Sequence, residues 1–190
     1  LAHQSEHILK ACCIPVLNPA NVQDYLDFGL HGYAMSRYSG CWIGFKCVTD
    51  VVESGASVIV DPERVQVKLP ADFAMPQGGL GIRWPDGFLE QETRLLYWKV
   101  YAALAYVRAN GLDRIVWDSP NARLGIITTG KSFGDTMQAL ADLGIEAGDS
   151  GLERIIAREL GHISVLCRHT DARLEQVTAG RQRFHLFEIS

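Results

Sequence analysis

The sequence lacks the features that mark membrane proteins and disulfide-rich secreted domains. No apolar run approaches the ~18–20 residues that a membrane-spanning helix needs. The start, "LAHQSEH", has no basic stretch before an apolar core, so we expect no signal peptide. The five cysteines form no C-x-x-C pair, so no iron–sulfur or zinc site follows from their spacing. Their odd number and lack of a framework suggest a cytoplasmic location.

Clustered positive charge is also absent. The chain has 18 Lys and Arg against 22 Asp and Glu, with a net charge of −4. Affinity for nucleic acid or an anionic membrane depends on clustered Lys and Arg, so we expect neither partner. What the chain does have is 47% hydrophobic residues beside 21% charged ones, over a length of 190 residues. That profile is typical of a globular protein with a buried core.

The first 52 residues alternate between predicted helices and strands. The predicted elements are a helix at 5–12, a strand at 14–19, a helix at 21–38 and a buried strand at 41–52. Asn21 is the predicted N-cap of the second helix, and Gly40 is its predicted end. Such alternation favours an α/β fold with a parallel sheet.

The middle of the chain has a different pattern. Residues 57–70 alternate apolar and polar side chains and predict edge strands around Asp61-Pro62. Residues 71–87 are rich in Gly and Pro and predict a loop. Residues 88–111 form the strongest predicted helix, with Gly111 at its end.

A second α/β unit is predicted from about residue 112 onwards. Its predicted elements are an extended segment at 112–122, a strand at 124–128, helices at 132–143 and 151–160, and strands at 163–167 and 184–189. The segment "LGIITTGKS" within this unit matches the phosphate-loop pattern G-x-x-x-x-G-K-[ST] from Gly125 to Ser132.

Two interpretations of this segment stay open. In the first, residues 125–132 bind the phosphates of a nucleotide. In the second, they are a strand, a turn and a capped helix at the carboxyl edge of a sheet, where α/β folds place ligands. We favour the second, because Ile126 and Ile127 suit extended backbone rather than a tight anion loop. Ser132 would then cap the helix, with Asp135 at its positive end.

The histidines give a weaker signal. His3 and His7, four residues apart, could bind a metal on one helical face, but no third ligand is evident, so we favour a structural or surface role. His31, within the predicted helix 21–38, is interpreted as a half-buried polar residue rather than a ligand.

Longer segments of the sequence resemble a known family. "HQSEHILKACCIPVLNPANVQDYLDFGLHGYAMSRYSGCWIGFKCVTDVVESGASV", "NGLDRIV" and "LGIITTGKSFGDTMQALADLGI" are similar, in this order, to the thiamine-diphosphate-dependent 2-oxoacid:ferredoxin oxidoreductases. The fused indolepyruvate ferredoxin oxidoreductases of bacteria are the most similar branch. The similarity runs from residue 3 to about residue 145, and the chain departs from the family pattern after Ile145.

The resemblance implies three regions. Residues 1–56 would be the carboxyl-terminal half of a pyrimidine-binding domain with a partial parallel sheet. Residues 57–111 would be a connector with a long helix. Residues 112–190 would begin a transketolase C-terminal-like α/β domain, in which 146–190 are atypical.

The resemblance also implies a reaction and a set of site residues. The family oxidatively decarboxylates an aryl 2-oxoacid such as indolepyruvate to an acyl-CoA, with coenzyme A as co-substrate and ferredoxin as electron acceptor. Thiamine diphosphate with magnesium and iron–sulfur clusters are its cofactors. By position, His3, Gln4, Ser5 and Glu6 would approach the cofactor, and Lys10 would bind the substrate carboxylate as a point charge.

We expect the cluster ligands and the diphosphate site to lie outside this chain. The full-length protein would be a homo-oligomer, and the isolated chain would be inactive. Two other functions stay open: a nucleotide-binding protein that uses Gly125 to Ser132, and a non-catalytic α/β interaction module.

Overall fold

The computed structural model describes most of the first 145 residues and three short strands after them. The described ranges are 5–84, 86–118, 124–145, 154–158, 160–161 and 185–188. The helices are α1 (Glu6–Ala11), α2 (Val22–Ser39), α3 (Thr49–Val52), α4 (Phe88–Arg94), α5 (Val100–Asn110) and α6 (Lys131–Asp142). A single π-helical turn, Leu95–Lys99, joins α4 to α5.

The strands form two small mixed sheets. They are β1 (Val16–Leu17), β2 (Gly44–Phe45), β3 (Asp113–Asp118), β4 (Leu124–Thr128), β5 (Arg154–Arg158), β6 (Leu160–Gly161) and β7 (His185–Glu188). The first sheet has the order β2-β1-β6 and the second the order β3-β5-β4-β7. The pairs β1–β2, β4–β5 and β4–β7 are parallel, whereas β1–β6 and β3–β5 are antiparallel. The α/β class is therefore confirmed, but the sheets are mixed rather than purely parallel.

Helix α2 begins and ends as its sequence predicts. Asn21 has extended backbone, and its side-chain oxygen accepts a hydrogen bond of 3.0 Å from the backbone N–H of Asp24. The Asp24 carboxylate in turn accepts from the backbone N–H of Ala20 at 3.0 Å. At the other end, Gly40 adopts a φ of 69°, a left-handed conformation that glycine adopts without strain.

The core lies between α2, α5 and β1. Its buried members are Leu17, Phe28, Met35, Ala103, Tyr106, Val107 and Leu112. The small alanines of α5 let this helix approach α2 closely, and Tyr106 fills the space between them with its side chain fully buried. The predicted helix at 88–111 is thus confirmed as α4, the π-turn and α5, ending at Gly111.

The predicted edge strands at 57–70 are wrong, because this segment has no regular secondary structure. Side-chain amides take the hydrogen bonds that a neighbouring strand would have made. The amide of Gln23 accepts from the N–H of Ile59 at 2.8 Å and donates to its carbonyl at 3.3 Å. The amide of Asn110 makes the same double contact with Lys68, at 2.8 and 2.9 Å. The segment is therefore held against α2 and α5 at Ile59 and Lys68 without entering a sheet.

Two other predicted elements differ from the structure. The buried strand predicted at 41–52 is only the two-residue β2 followed by α3, because β1 offers just two residues for pairing. The helix predicted at 151–160 is wrong: β5 and β6 occupy this range, since β5 pairs with strands on both sides and tertiary pairing overrides a weak helical pattern. The strand predicted at 184–189 is confirmed as β7, and the one at 163–167 lies outside the described residues.

Candidate functional site

The carboxyl ends of β1, β2 and β4 meet at one place. Asn18 follows β1, and its Nδ2 donates to Thr129 Oγ1, directly after β4, at 3.3 Å. Lys46 follows β2, and its backbone N–H donates to the carbonyl of Leu17 at 2.9 Å. Ligands of α/β folds lie at such an edge, because the strand ends leave backbone and polar side chains pointing out of the sheet. We call this group, Asn18, Lys46 and Thr129, the strand-end site.

Helix α1 brings a carboxylate to the strand-end site. Glu6 forms an ion pair with Lys46, and both side chains are largely buried, with exposed fractions of 12% and 25%. Withdrawal of both charges from water makes the pair sensitive to loss of either partner. A substrate carboxylate would have to compete with Glu6 for the Lys46 ammonium group. The pair thus holds α1 against the end of β2.

The sequence-predicted site residues fall into two groups. Ser5 is half-buried just before α1, and its carbonyl accepts hydrogen bonds from Ile8 and Leu9. Glu6 therefore reaches the strand-end site through Lys46, Ser5 directly precedes it, and Lys10 lies one turn further along α1. His3 and Gln4 are outside the described residues. The cofactor and substrate roles of all five stay predictions.

The turn after β4 does not form a phosphate loop. Residues Leu124–Thr128 are a strand, so the first glycine of the motif and both isoleucines are in extended, paired backbone. An anion loop needs these residues to curl so that their N–H groups converge. Lys131 instead pairs with Asp135 at 2.7 Å, and this hydrogen bond raises the pKa of the lysine.

The predicted cap of α6 is also wrong. The N-cap residue is Gly130, and no side chain of the described residues caps this helix. Gly130 is buried against Asn18, with a φ of 55°. A Cβ at this position would lie 2.4 Å from Asn18 Oδ1, so the turn requires glycine for both conformation and space.

His31 has the half-buried position predicted for it. Its Nδ1 shares a hydrogen bond of 3.0 Å with the hydroxyl of Tyr106 in α5. Burial lowers the pKa of His31 and raises that of Tyr106 to about 12. Both groups are therefore neutral at pH 7, as their place between α2 and α5 requires.

The described residues offer neither a metal site nor a membrane span. No group of three or more His, Cys, Asp or Glu side chains within the described ranges could hold a metal ion. His7 is exposed at the start of α1, and His3 is not described. In the same part of the chain, no helix is both long and apolar enough to cross a membrane.

Two comparisons with known proteins point to the same class of oxidoreductase. Residues 113–179 match the family model of the indolepyruvate ferredoxin oxidoreductase middle domain. The chain is 22% identical over 148 residues to the indolepyruvate oxidoreductase subunit IorA of Methanothermobacter thermautotrophicus. The aligned residues make up 75% of this chain and 22% of the relative. Both matches support the resemblance of the sequence to the indolepyruvate and 2-oxoacid ferredoxin oxidoreductases. The chain spans about a fifth of that relative's length.

One solved structure is also similar. The 2-oxoglutarate:ferredoxin oxidoreductase from Magnetococcus marinus, solved with 2-oxoglutarate, coenzyme A and succinyl-CoA, shares 12% identity and a TM-score of 0.48. The match covers 93% of this chain and 35% of that one. A likeness at this level carries no argument about function.

The comparisons correct one sequence interpretation. The sequence was expected to leave the family pattern after Ile145, yet the family match continues to residue 179. Sequence reasoning also missed Asn18 and Lys46. Each is the first polar residue after a short apolar strand, and this position was the signal that could have identified them.

Proposed function

We propose that this chain is part of an oxidoreductase that oxidatively decarboxylates an aryl 2-oxoacid to an acyl-CoA. The carboxyl carbon of the oxoacid leaves as carbon dioxide, the acyl group passes to coenzyme A, and the electron pair passes to ferredoxin. The observation that carries the proposal is the match of residues 113–179 to the indolepyruvate ferredoxin oxidoreductase middle domain. The indolepyruvate relative agrees with an aryl substrate.

The proposed regions are those expected from the sequence. Residues 1–56 are the carboxyl-terminal half of a pyrimidine-binding domain, 57–111 the connector and long helix, and 112–190 a transketolase C-terminal-like unit. The start of the family match at residue 113 supports the second boundary.

The proposed cofactors are thiamine diphosphate with magnesium and iron–sulfur clusters. The described residues do not fit the magnesium or cluster sites, because no three metal-ligating side chains come together among them. A diphosphate site is also poorly supported, because the ammonium groups of Lys46 and Lys131 both form ion pairs with carboxylates. We therefore place these sites in the rest of the full-length protein. Thiamine diphosphate would supply the electron sink for decarboxylation.

The strand-end site is the part of this chain that we place near the cofactor. Glu6 reaches this edge through its ion pair with Lys46, and Ser5 directly precedes it in the chain. In the full-length enzyme, Glu6→Gln should raise the thiamine diphosphate concentration needed for half-maximal activity. We expect a change of about tenfold, because loss of a residue that supports a binding group typically has an effect of this size. Glu92→Gln, on an exposed position of α4, is the matched control and should change nothing. Equal values for both variants would place Glu6 away from the cofactor.

The experiment that tests the function uses the purified full-length protein. Ferredoxin reduction is followed with coenzyme A and either indolepyruvate or 2-oxoglutarate. We expect a higher kcat/KM for indolepyruvate, and no turnover by the isolated 190-residue chain. Absence of ferredoxin reduction with both oxoacids would contradict the reaction, and a preference for 2-oxoglutarate would contradict only the aryl substrate. The full-length protein is further expected to be a cytoplasmic homo-oligomer.

A further inference from the structure

An apolar groove lies between α2 and β2. Its volume is about 730 Å³, which is within the usual range of ligand sites. The described side chains that line it are uncharged, and they include Tyr33, Cys41, Trp42 and Phe45. No lining side chain could therefore form an ion pair with an oxoacid carboxylate or a diphosphate. The chemistry of the groove suits an apolar segment of polypeptide.

The helical wall of the groove leaves room for close approach. Gly29 and Gly32 face it from α2, and a Cβ added at Gly29 would meet no atom within 4 Å. Large apolar side chains nevertheless remain in water at its rim, since Tyr33 is 76% and Trp42 82% exposed. Ile82, from the connector, is 89% exposed at the same groove. A contiguous apolar surface of this kind is typical of an interface.

The strand wall of the groove has an open edge. In the sheet order β2-β1-β6, strand β2 pairs with β1 on one side and with no strand of the described residues on the other. The backbone N–H and C=O groups of an edge strand are a template for pairing with a further strand. A strand added here would satisfy these groups and could place apolar side chains over the glycines of α2.

The length of the relative indicates where such a strand comes from. The aligned segment makes up 22% of the curated relative, so most of a homologue of that length lies outside the region described here. A segment of the same polypeptide reaches the groove without the loss of translational freedom that a second molecule incurs. We propose that an apolar β-strand of the full-length protein, from outside residues 1–190, pairs with the open edge of β2 and closes this groove. The inference rests on the proposed place of the chain in a longer enzyme.

The first arm of the test measures accessibility in the full-length protein. Trp42→Cys and Val60→Cys replace two side chains that are equally exposed in this structure, each at 82%. Maleimide labelling of each cysteine is quantified peptide by peptide and normalised to its rate in urea-unfolded protein. We expect residue 42 to label at least about tenfold more slowly than its unfolded reference, because labelling requires local opening. Labelling of residue 42 at its unfolded rate would overturn the proposal.

The second arm identifies the occupant. A photo-crosslinking amino acid replaces Tyr33 in a mixture of ¹⁴N- and ¹⁵N-labelled full-length protein. Cross-links within one polypeptide, to a segment outside residues 1–190, would support the proposal. Cross-links between differently labelled molecules would overturn it in favour of a second copy. Ferredoxin reduction is measured on the same samples, so that the proposed function is tested separately from the strand. The groove can be covered in a protein that does not oxidise oxoacids, and a protein that oxidises them can leave the groove open.

Discussion

Two strand–turn–helix junctions of the described residues, β1–α2 and β4–α6, have turns that are held in different ways. The first is held locally, because Asn21 caps the N–H of Asp24 and Asp24 caps the N–H of Ala20. The second has no side-chain cap among the described residues, and its glycine packs instead against Asn18 from the first junction. One junction is thus stabilised by its own sequence and the other by its neighbour.

The largest expected effect comes from filling the space at the second turn. Gly130→Ala would place a Cβ 2.4 Å from Asn18 Oδ1 on backbone with a φ of 55°. We expect it to lower the free energy of unfolding by about 2–4 kcal/mol, from left-handed strain and displacement of Asn18. Urea unfolding measures this loss.

The matched control for this variant lies in the same helix. Gly134→Ala adds a methyl group where no atom lies within 4 Å, and should stabilise α6 by about 0.5–1 kcal/mol through helix propensity alone. If the two variants had equal effects, the close approach of Asn18 would not be what holds the second turn.

The caps provide a test of intermediate size. Asn21→Ala removes the hydrogen bond at the start of α2 and should cost about 1 kcal/mol of unfolding free energy. Ser132→Ala at the start of α6 should change it by no more than ~0.5 kcal/mol, because Ser132 does not cap that helix. Both variants are compared by thermal or urea unfolding. Equal losses of unfolding free energy would show that the two junctions do not differ in their side-chain caps.

The smallest expected effect concerns a contact further along α2, the helix that follows the first junction. Helix α2 is joined to α5 through His31 and Tyr106, and burial lowers the pKa of His31 below its ordinary 6.5. The unfolded chain therefore binds this proton at higher pH than the folded chain does. The contribution of His31 to stability is complete above pH 6.5 and is lost as the pH falls from there towards the folded-state pKa.

The pH prediction is checked by urea unfolding of the wild type and His31→Gln between pH 5 and 8, roughly the range of histidine titration. The stability of the wild type should fall more steeply towards acid than that of the variant. The nearby charge of Asp27 acts in the opposite direction and partly offsets the effect of burial. Parallel curves for the two proteins would show that His31 does not titrate differently on folding.

The sequence predicts the first junction better than the second, for a physical reason. The cap at Asn21 and the left-handed Gly40 depend on residues within a few positions of each other, so their pattern is visible in the chain. The turn at Gly130 depends on Asn18, which is more than a hundred positions away. The local pattern suggested a cap at Ser132 that the helix does not use.

The same distinction applies to the strand-end site and the connector. Glu6 was expected near the cofactor from the family resemblance, but its partner Lys46 follows only from the parallel pairing of β1 and β2. Residues 57–70 have the alternation of a strand, yet their backbone is paired by the amides of Gln23 and Asn110. Periodicity indicates which residues can pair, but tertiary packing decides the partner.

The side chains of Asn18 and Thr129 join the two junctions, and a double-mutant cycle measures this contact. The variants are Asn18→Ala, Thr129→Ala and their combination, with urea unfolding as the measurement. We predict a coupling energy of about 0.5–1 kcal/mol, because the side chains share a hydrogen bond where the strand ends meet. Additive effects of the two substitutions, within about 0.3 kcal/mol, would contradict the claim that the first junction holds the second.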